Sequence, residues 1–248
     1  MKTTILFALL LCFMVPFATA QEGMVTYEET IKLDIELPPE IQAMGHEIPD
    51  TRVSKQVLYF NESASLYKAA EEDNSDQEQS FSNNEGLEIR IQRGGDDNKT
   101  YMNFDEGERI EKREFLGKNF LISGDTGSLS WKMTDERSEF LGYMCMKATA
   151  ERDSTTYEAW FTPEISIPSG PGQGGLPGLI LVMNINEGER SYVAKELSLE
   201  AVEEGLIEPP TKGKKVSRVE FNEIVEERMK EMNATRSGSG GIFIRMSH

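Results

Sequence analysis

The chain is poor in the residues from which most active sites are built. Its only histidines are His46 and His248, and its only cysteines are Cys12 and Cys145. A Ser/His triad needs an imidazole held between a nucleophile and a carboxylate. His46 stands in an irregular Pro-containing stretch and His248 is the last residue, so no such triad is predicted and no catalytic residue is assigned. With one cysteine in the N-terminal apolar run, Cys145 has no pair in the rest of the chain, which excludes an intrachain disulfide there. A lone cysteine of this kind is expected to serve as a small buried hydrophobe. Cationic residues are scarce: 26 Lys and Arg stand against 43 Asp and Glu, a formal net charge of −17. That balance excludes nucleic acid and anionic membrane surfaces as natural partners, because both repel an acidic protein. Long apolar runs are absent after the first 20 residues, so no later segment is expected to span a bilayer.

What those first residues contain is an export signal. Lys2 supplies a positive start, Ile5 to Phe17 an apolar core, and Ala18-Thr19-Ala20 a small-residue cleavage site. Cleavage after Ala20 makes Gln21 the new N-terminus and, with Lys2 the only charge removed, takes the net charge from −17 to −18. The expected product is an exported, acidic protein of the periplasm or the exterior, with residues 21–248 forming a single domain.

Alternation with a period of two dominates that domain. At the odd positions from Val25 to Ile35 stand Val, Tyr, Glu, Ile, Leu and Ile. Val57–Phe60 and Ala64–Tyr67 flank Asn61-Glu62-Ser63 as the arms of a hairpin. Leu87, Ile89 and Ile91 alternate with polar residues. Further strands are predicted at Tyr101–Phe104, Arg109–Phe115, Asn119–Ile122, Ser128–Met133, Tyr143–Glu151, Thr155–Thr162, Arg190–Leu197 and Gly241–Met246. Residues 71–86 carry almost no apolar mass and are expected to form a mobile acidic loop. Leu179–Met183 is continuously apolar, as expected of a strand buried on both faces, and a helix over one face is the expected cover. One helix is predicted, over 218–232. It opens on a capping box, Ser217 with Glu220, and places Phe221, Ile224, Val225, Met229 and Met232 at helical spacing. A glycine-rich linker, 234–241, follows. The fold class is therefore α+β and mainly antiparallel β: a curved sheet or incomplete barrel with one C-terminal helix packed on it.

Three segments invite a chemical reading. Met144-Cys145-Met146 offers soft sulfur suited to Cu(I), but alternation on a strand sends Cys145 to the face opposite the two methionines. Lys212, Lys214, Lys215 and Arg218 form the one basic cluster, readable either as a docking point for an acidic partner or as a loop approaching the helix start. The stretch 167–180 is rich in glycine and proline. It lacks the Lys and Ser/Thr of a phosphate-binding loop and precedes a strand instead of a helix, so it is expected to be a shaped connection.

That stretch ends in Gly175-Leu176-Pro177-Gly178-Leu179-Ile180, the hexapeptide of the GLPGLI family of exported proteins from Gram-negative bacteria, which the chain resembles. The resemblance takes in Lys147-Ala148-Thr149 and the run from Ala159 through Trp160 and Pro163 to Ile165. It continues through Lys212-Gly213-Lys214-Lys215 and Met229-Lys230-Glu231-Met232. It implies an envelope location and brings no activity, cofactor or catalytic role with it. The function expected is that of a non-catalytic envelope protein that binds or scaffolds another envelope component. The alternatives are a carrier of an apolar ligand or acyl chain, and a Cu(I) binder using Met144, Cys145 and Met146. An unidentified envelope protein or apolar ligand is the expected partner, and no cofactor is expected.

Overall fold

The computed structural model describes residues 21–33, 50–71, 79–82, 88–92, 98–127, 129–235 and 242–245. Its main body is one twelve-stranded sheet, built from β1 (Gly23–Lys32), β2 (Thr51–Phe60), β3 (Ala64–Ala69), β6 (Lys99–Asn103), β7 (Glu108–Phe115), β8 (Lys118–Asp125), β9 (Lys132–Phe140), β10 (Tyr143–Arg152), β11 (Thr155–Thr162), β12 (Leu179–Ile185), β13 (Arg190–Ser198) and β14 (Lys214–Val216). The order is β14-β8-β7-β6-β3-β2-β1-β13-β12-β11-β10-β9, open at both ends. Every pairing is antiparallel except the short β14 on β8. A second sheet of three strands joins β4 (Gln79–Ser82), β5 (Glu88–Gln92) and β15 (Ile242–Arg245). The α+β class, mainly antiparallel with one C-terminal helix, is as the alternation predicts.

Local chemistry explains the hairpins. Asn61 Oδ1 accepts the N–H groups of Ser63 and Ala64 at 3.0 and 2.8 Å, which turns β2 into β3. Two predicted spans shift. Gln79–Ser82, inside the expected loop 71–86, is a strand paired with β5, and most of the remaining loop lies outside the described residues. The strand expected at Ser128–Met133 instead runs over Lys132–Phe140. This β9 is the edge of the sheet and exposed along most of its length, so it needs no apolar alternation and shows none.

Registry puts both residues of every second pair on a common inner face. Val25 stands beside Leu58, Tyr27 beside Gln56 and Glu29 beside Ser54, and the same face continues through Tyr67, Thr100 and Glu111. In the other direction it continues through Tyr192, Met183 and Ala159. Along the strands this face divides. Near one end it is apolar, with Val25, Tyr27, Leu58, Phe60, Cys145, Ala148 and Phe161 all buried in the largest core cluster. Towards the other end it becomes polar and charged.

Leu179–Met183 is buried at every position, but its cover is not the helix. The connection from β11 to β12 folds back across the inner face and contributes Ile165, Ile167 and Leu176 to the same cluster. Leu179 N–H donates to Ile165 O, and Ile180 N–H to Ser169 O. Tyr27 Oη donates to Ile180 O at 2.6 Å, and Ser169 Oγ meets Ser65 Oγ at 2.8 Å. The Gly/Pro-rich segment is thus a plug that spans the curved sheet. Helix α1 (Arg218–Thr235) packs at the far edge. Phe221 meets Phe115 and Phe120 edge-to-face at 6.5 and 5.4 Å, beside Ile122 and Val216. Ser217 Oγ accepts the Glu220 N–H at 3.1 Å as the cap predicts. The helix runs three residues beyond the expected 232, into the predicted linker, whose residues 236–241 lie outside the description.

Candidate functional site

The polar half of the inner face opens into a cavity of about 690 Å³ lined by ten strands of the large sheet, the plug and the start of α1. Sheet curvature creates it, since Arg109 of β7 and Arg152 of β10 stand eight strands apart in the order yet share the lining. Arg52, Arg109, Arg113, Arg152, Arg190 and Arg218 are six of the chain's twelve arginines. With Lys99 they face four carboxylates, those of Glu29, Glu111, Asp125 and Asp153. In a chain of net charge −17 this surplus of cations is confined to one concavity.

The strand β7 supplies the centre. Its alternate residues Arg109, Glu111 and Arg113 all point inward by registry with Met102, Thr100 and Phe120. Glu111 is 2% exposed and is shared by three guanidiniums. Arg109 Nη2 lies 2.9 Å from one oxygen, Arg113 Nη2 3.0 Å from the other, and Arg218 from the helix start donates to the first. Burial alone raises the Glu111 carboxyl, but Arg113, Arg109 and Arg218 together outweigh it and hold the group at about 2. Burial, helped by the neighbouring cations, lowers Arg109 to about 10 against the pull of Glu111. Arg109 Nη2 also donates to Gly172 O at 2.7 Å, which ties the plug to the cavity wall.

A second carboxylate, Glu29, is 4% exposed and accepts Ser54 Oγ at 3.1 Å and Gln56 Nε2 at 3.0 Å, with Arg190 Nε 3.8 Å away. Tyr67 on β3 stands between the two acids in strand order and Tyr192 on β13 lies beside Glu29, and their rings meet edge-on at 6.4 Å. Burial pushes both hydroxyls well above the ordinary tyrosine range. Tyr67 Oη and Arg109 Nε are buried with no hydrogen-bond partner among the described residues. Arg152 forms no ion pair with a described residue. The arrangement offers donors and positive potential to a bound anion. As an acid or base Glu111 is unsuited to neutral pH, being ionised and saturated by three cations.

The residues singled out in the sequence lie elsewhere or play other parts. Cys145 is fully buried in the apolar core, where burial, with the nearby Glu164, pushes its thiol up to about 11. Met144 is 47% exposed on the opposite side of β10, and Met146 packs partly against the core. Among the described residues no three His, Cys, Asp or Glu side chains converge as for a metal ion. Trp160 packs on Phe140 at 5.7 Å and Pro163 turns the chain after β11. Gly175, Leu176, Pro177, Gly178, Leu179 and Ile180 belong to the plug and the strand it covers, with Leu176, Leu179 and Ile180 buried. Of the basic cluster only Arg218 reaches the cavity, while Lys214 pairs with Glu220 at 3.1 Å.

Sequence reasoning did not find the cavity. The signal present was β7 itself, since Arg109-Ile110-Glu111-Lys112-Arg113-Glu114 is charged on both alternations. One face of any interior strand in a curved sheet must look inward, so charge on both faces marks a polar interior.

Residues 96–216 match the family model described as the N-terminal domain of N-glycanase (PNGase F-II). Two solved structures titled as PNGF-II, in space groups P21 and C2, align with TM-score 0.54 and 16% identity over 84% of this chain. The chain spans about a third of their length, 34% and 33%. No curated protein matches. At this identity the likeness is one of fold: the open, curved, largely antiparallel sheet is shared with the PNGF-II structures.

Proposed function

We propose that this protein is a non-catalytic, exported binding protein of the bacterial envelope, whose concave cleft receives part of another envelope component. The observation that carries the reading is the cavity of about 690 Å³, of ligand-binding size, whose buried donors are not all used by the protein itself. Export and the envelope location rest on the leader at residues 1–20 and on the resemblance to GLPGLI proteins. The fold supports a polar ligand over an acyl chain, because the apolar half of the inner face is filled by Ile165, Ile167 and Leu176. A glycan is the second reading. It is favoured by the match of residues 96–216 to a domain named for N-glycanase, and by amide and tyrosine side chains among the arginines of the cleft.

Native mass spectrometry of protein isolated from its own envelope tests the proposal. A retained ligand or stoichiometric partner, lost when cleft residues are substituted, is the expected result. Protein recovered bare, with no partner in crosslinked envelope, would overturn it.

A further inference from the structure

We infer that the cleft is an oxyanion site, built around Arg109, Arg113, Arg152 and Arg218, for a small hydroxylated ligand that carries a phosphate or a carboxylate. This deepens the binding reading above and rests on it.

Charge is the first argument. Glu111 is the acid in direct ion pairing with Arg109, Arg113 and Arg218, and one carboxylate cannot neutralise three guanidiniums. Arg152 adds a fourth cation with no ion-pair partner among the described residues. Field lines are focused in a concave, low-dielectric wall, so the surplus acts on whatever enters.

Unsatisfied geometry is the second. Arg109 is 9% exposed, and its Nε is buried without a partner beside the cavity, as is Tyr67 Oη. A buried donor left unpaired is costly, and an acceptor oxygen in the cleft would remove that cost. Guanidiniums suit this task because their planar fork matches phosphate and carboxylate oxygens.

The third argument concerns the rest of the ligand. Tyr67 and Tyr192 offer ring faces and edges, and Gln173, Asn98 and Asn222 offer amides. That combination suits a polar body with hydroxyl groups better than a bare ion.

The test is calorimetric titration of the purified chain at physiological salt, where the Debye length of about 8 Å screens exposed charges more strongly than those partly buried in a cleft. The probes are inorganic phosphate, glucose 6-phosphate and glucuronate, with glucose as the neutral control. Saturable one-to-one binding of at least one anion, and none of glucose, is expected. Tighter binding of glucose 6-phosphate than of inorganic phosphate would assign a phosphorylated ligand, and tighter glucuronate a carboxylated one. Arg152→Gln and Arg218→Gln remove cations from the cleft rim without touching the apolar core, and each should weaken the best anion by about tenfold. Lys230→Gln, an equal loss of charge on the exposed helix face, should leave it unchanged. Circular dichroism confirms that each variant is folded. Absence of binding by every anion, or equal loss in Lys230→Gln, would overturn the inference. A neutral ligand retained by native protein in the absence of anion binding would refute this inference alone and leave the broader reading standing.

Discussion

Alanine at Gly178 would place its Cβ 2.1 Å from the backbone carbonyl oxygen of Thr162. Gly175 has space around it but holds φ at +87°, in the left-handed region. The two substitutions should therefore differ in cost. Gly175→Ala is expected to lose about 1 kcal/mol from strain alone, and Gly178→Ala about 3 kcal/mol or more because β11 or the plug must move. Urea denaturation curves of both variants check the order. At Glu111 the issue is charge. Glu111→Gln leaves the buried Arg109 and the half-buried Arg113 without their counter-ion, and should destabilise the fold by about 3–5 kcal/mol at neutral pH. The carboxyl, depressed from 4.5 to about 2, binds its proton less tightly in the folded state than in the unfolded one. Its contribution is therefore complete above pH 4.5 and is lost as pH falls through about 2. Stability of the parent chain measured against pH should converge on that of Glu111→Gln across this window.

Among the elements, the helix is anchored by one turn. Phe221 is buried, Ile224 and Val225 are half-buried, and Met229 is 37% exposed. The helical spacing in the sequence was real, but the sheet ends beneath the first two turns, so Met229 faces outward. Phe221→Ala should cost about 3 kcal/mol, and Met229→Ala less than about 0.5 kcal/mol, which thermal denaturation of the pair would show. Strand β9 makes the same point from the other edge. Lys132–Phe140 has one neighbour, β10, and no buried residue, so backbone pairing holds it and side-chain pattern does not reveal it.

At the scale of the molecule, charge is sorted and not simply abundant. An acidic exterior surrounds a cleft with seven cations, which makes the cleft the preferred destination for anions that the rest of the surface repels. Gln21, the first described residue, is built into this body as well. Gln21 Nε2 donates to Glu164 O at 3.1 Å, and Gln21 Oε1 accepts Ser166 N–H at 2.7 Å. Processing after Ala20 would leave that residue seated at the start of β1. Mass analysis of envelope protein should accordingly find Gln21 as the first residue, and recovery of intact Met1 from the envelope would contradict export.

The sequence by itself determined the class of fold, the strand-rich order from Val25 to Leu197, the capped helix at Ser217 and the shaped Gly/Pro connection. Each of these is local: alternation, side-chain caps and backbone freedom act within a few residues, so the chain displays them directly. The cleft is not local. Arg52, Arg109, Arg152, Arg190 and Arg218 lie on five different elements or connections, and only the curvature of a twelve-stranded sheet brings them to one cavity. The same is true of the plug, whose role over Leu179–Met183 depends on a fold-back that strand pattern does not encode. Tertiary structure decided which face of β7 is the inside, because a strand charged on both alternations has no apolar side to choose for itself.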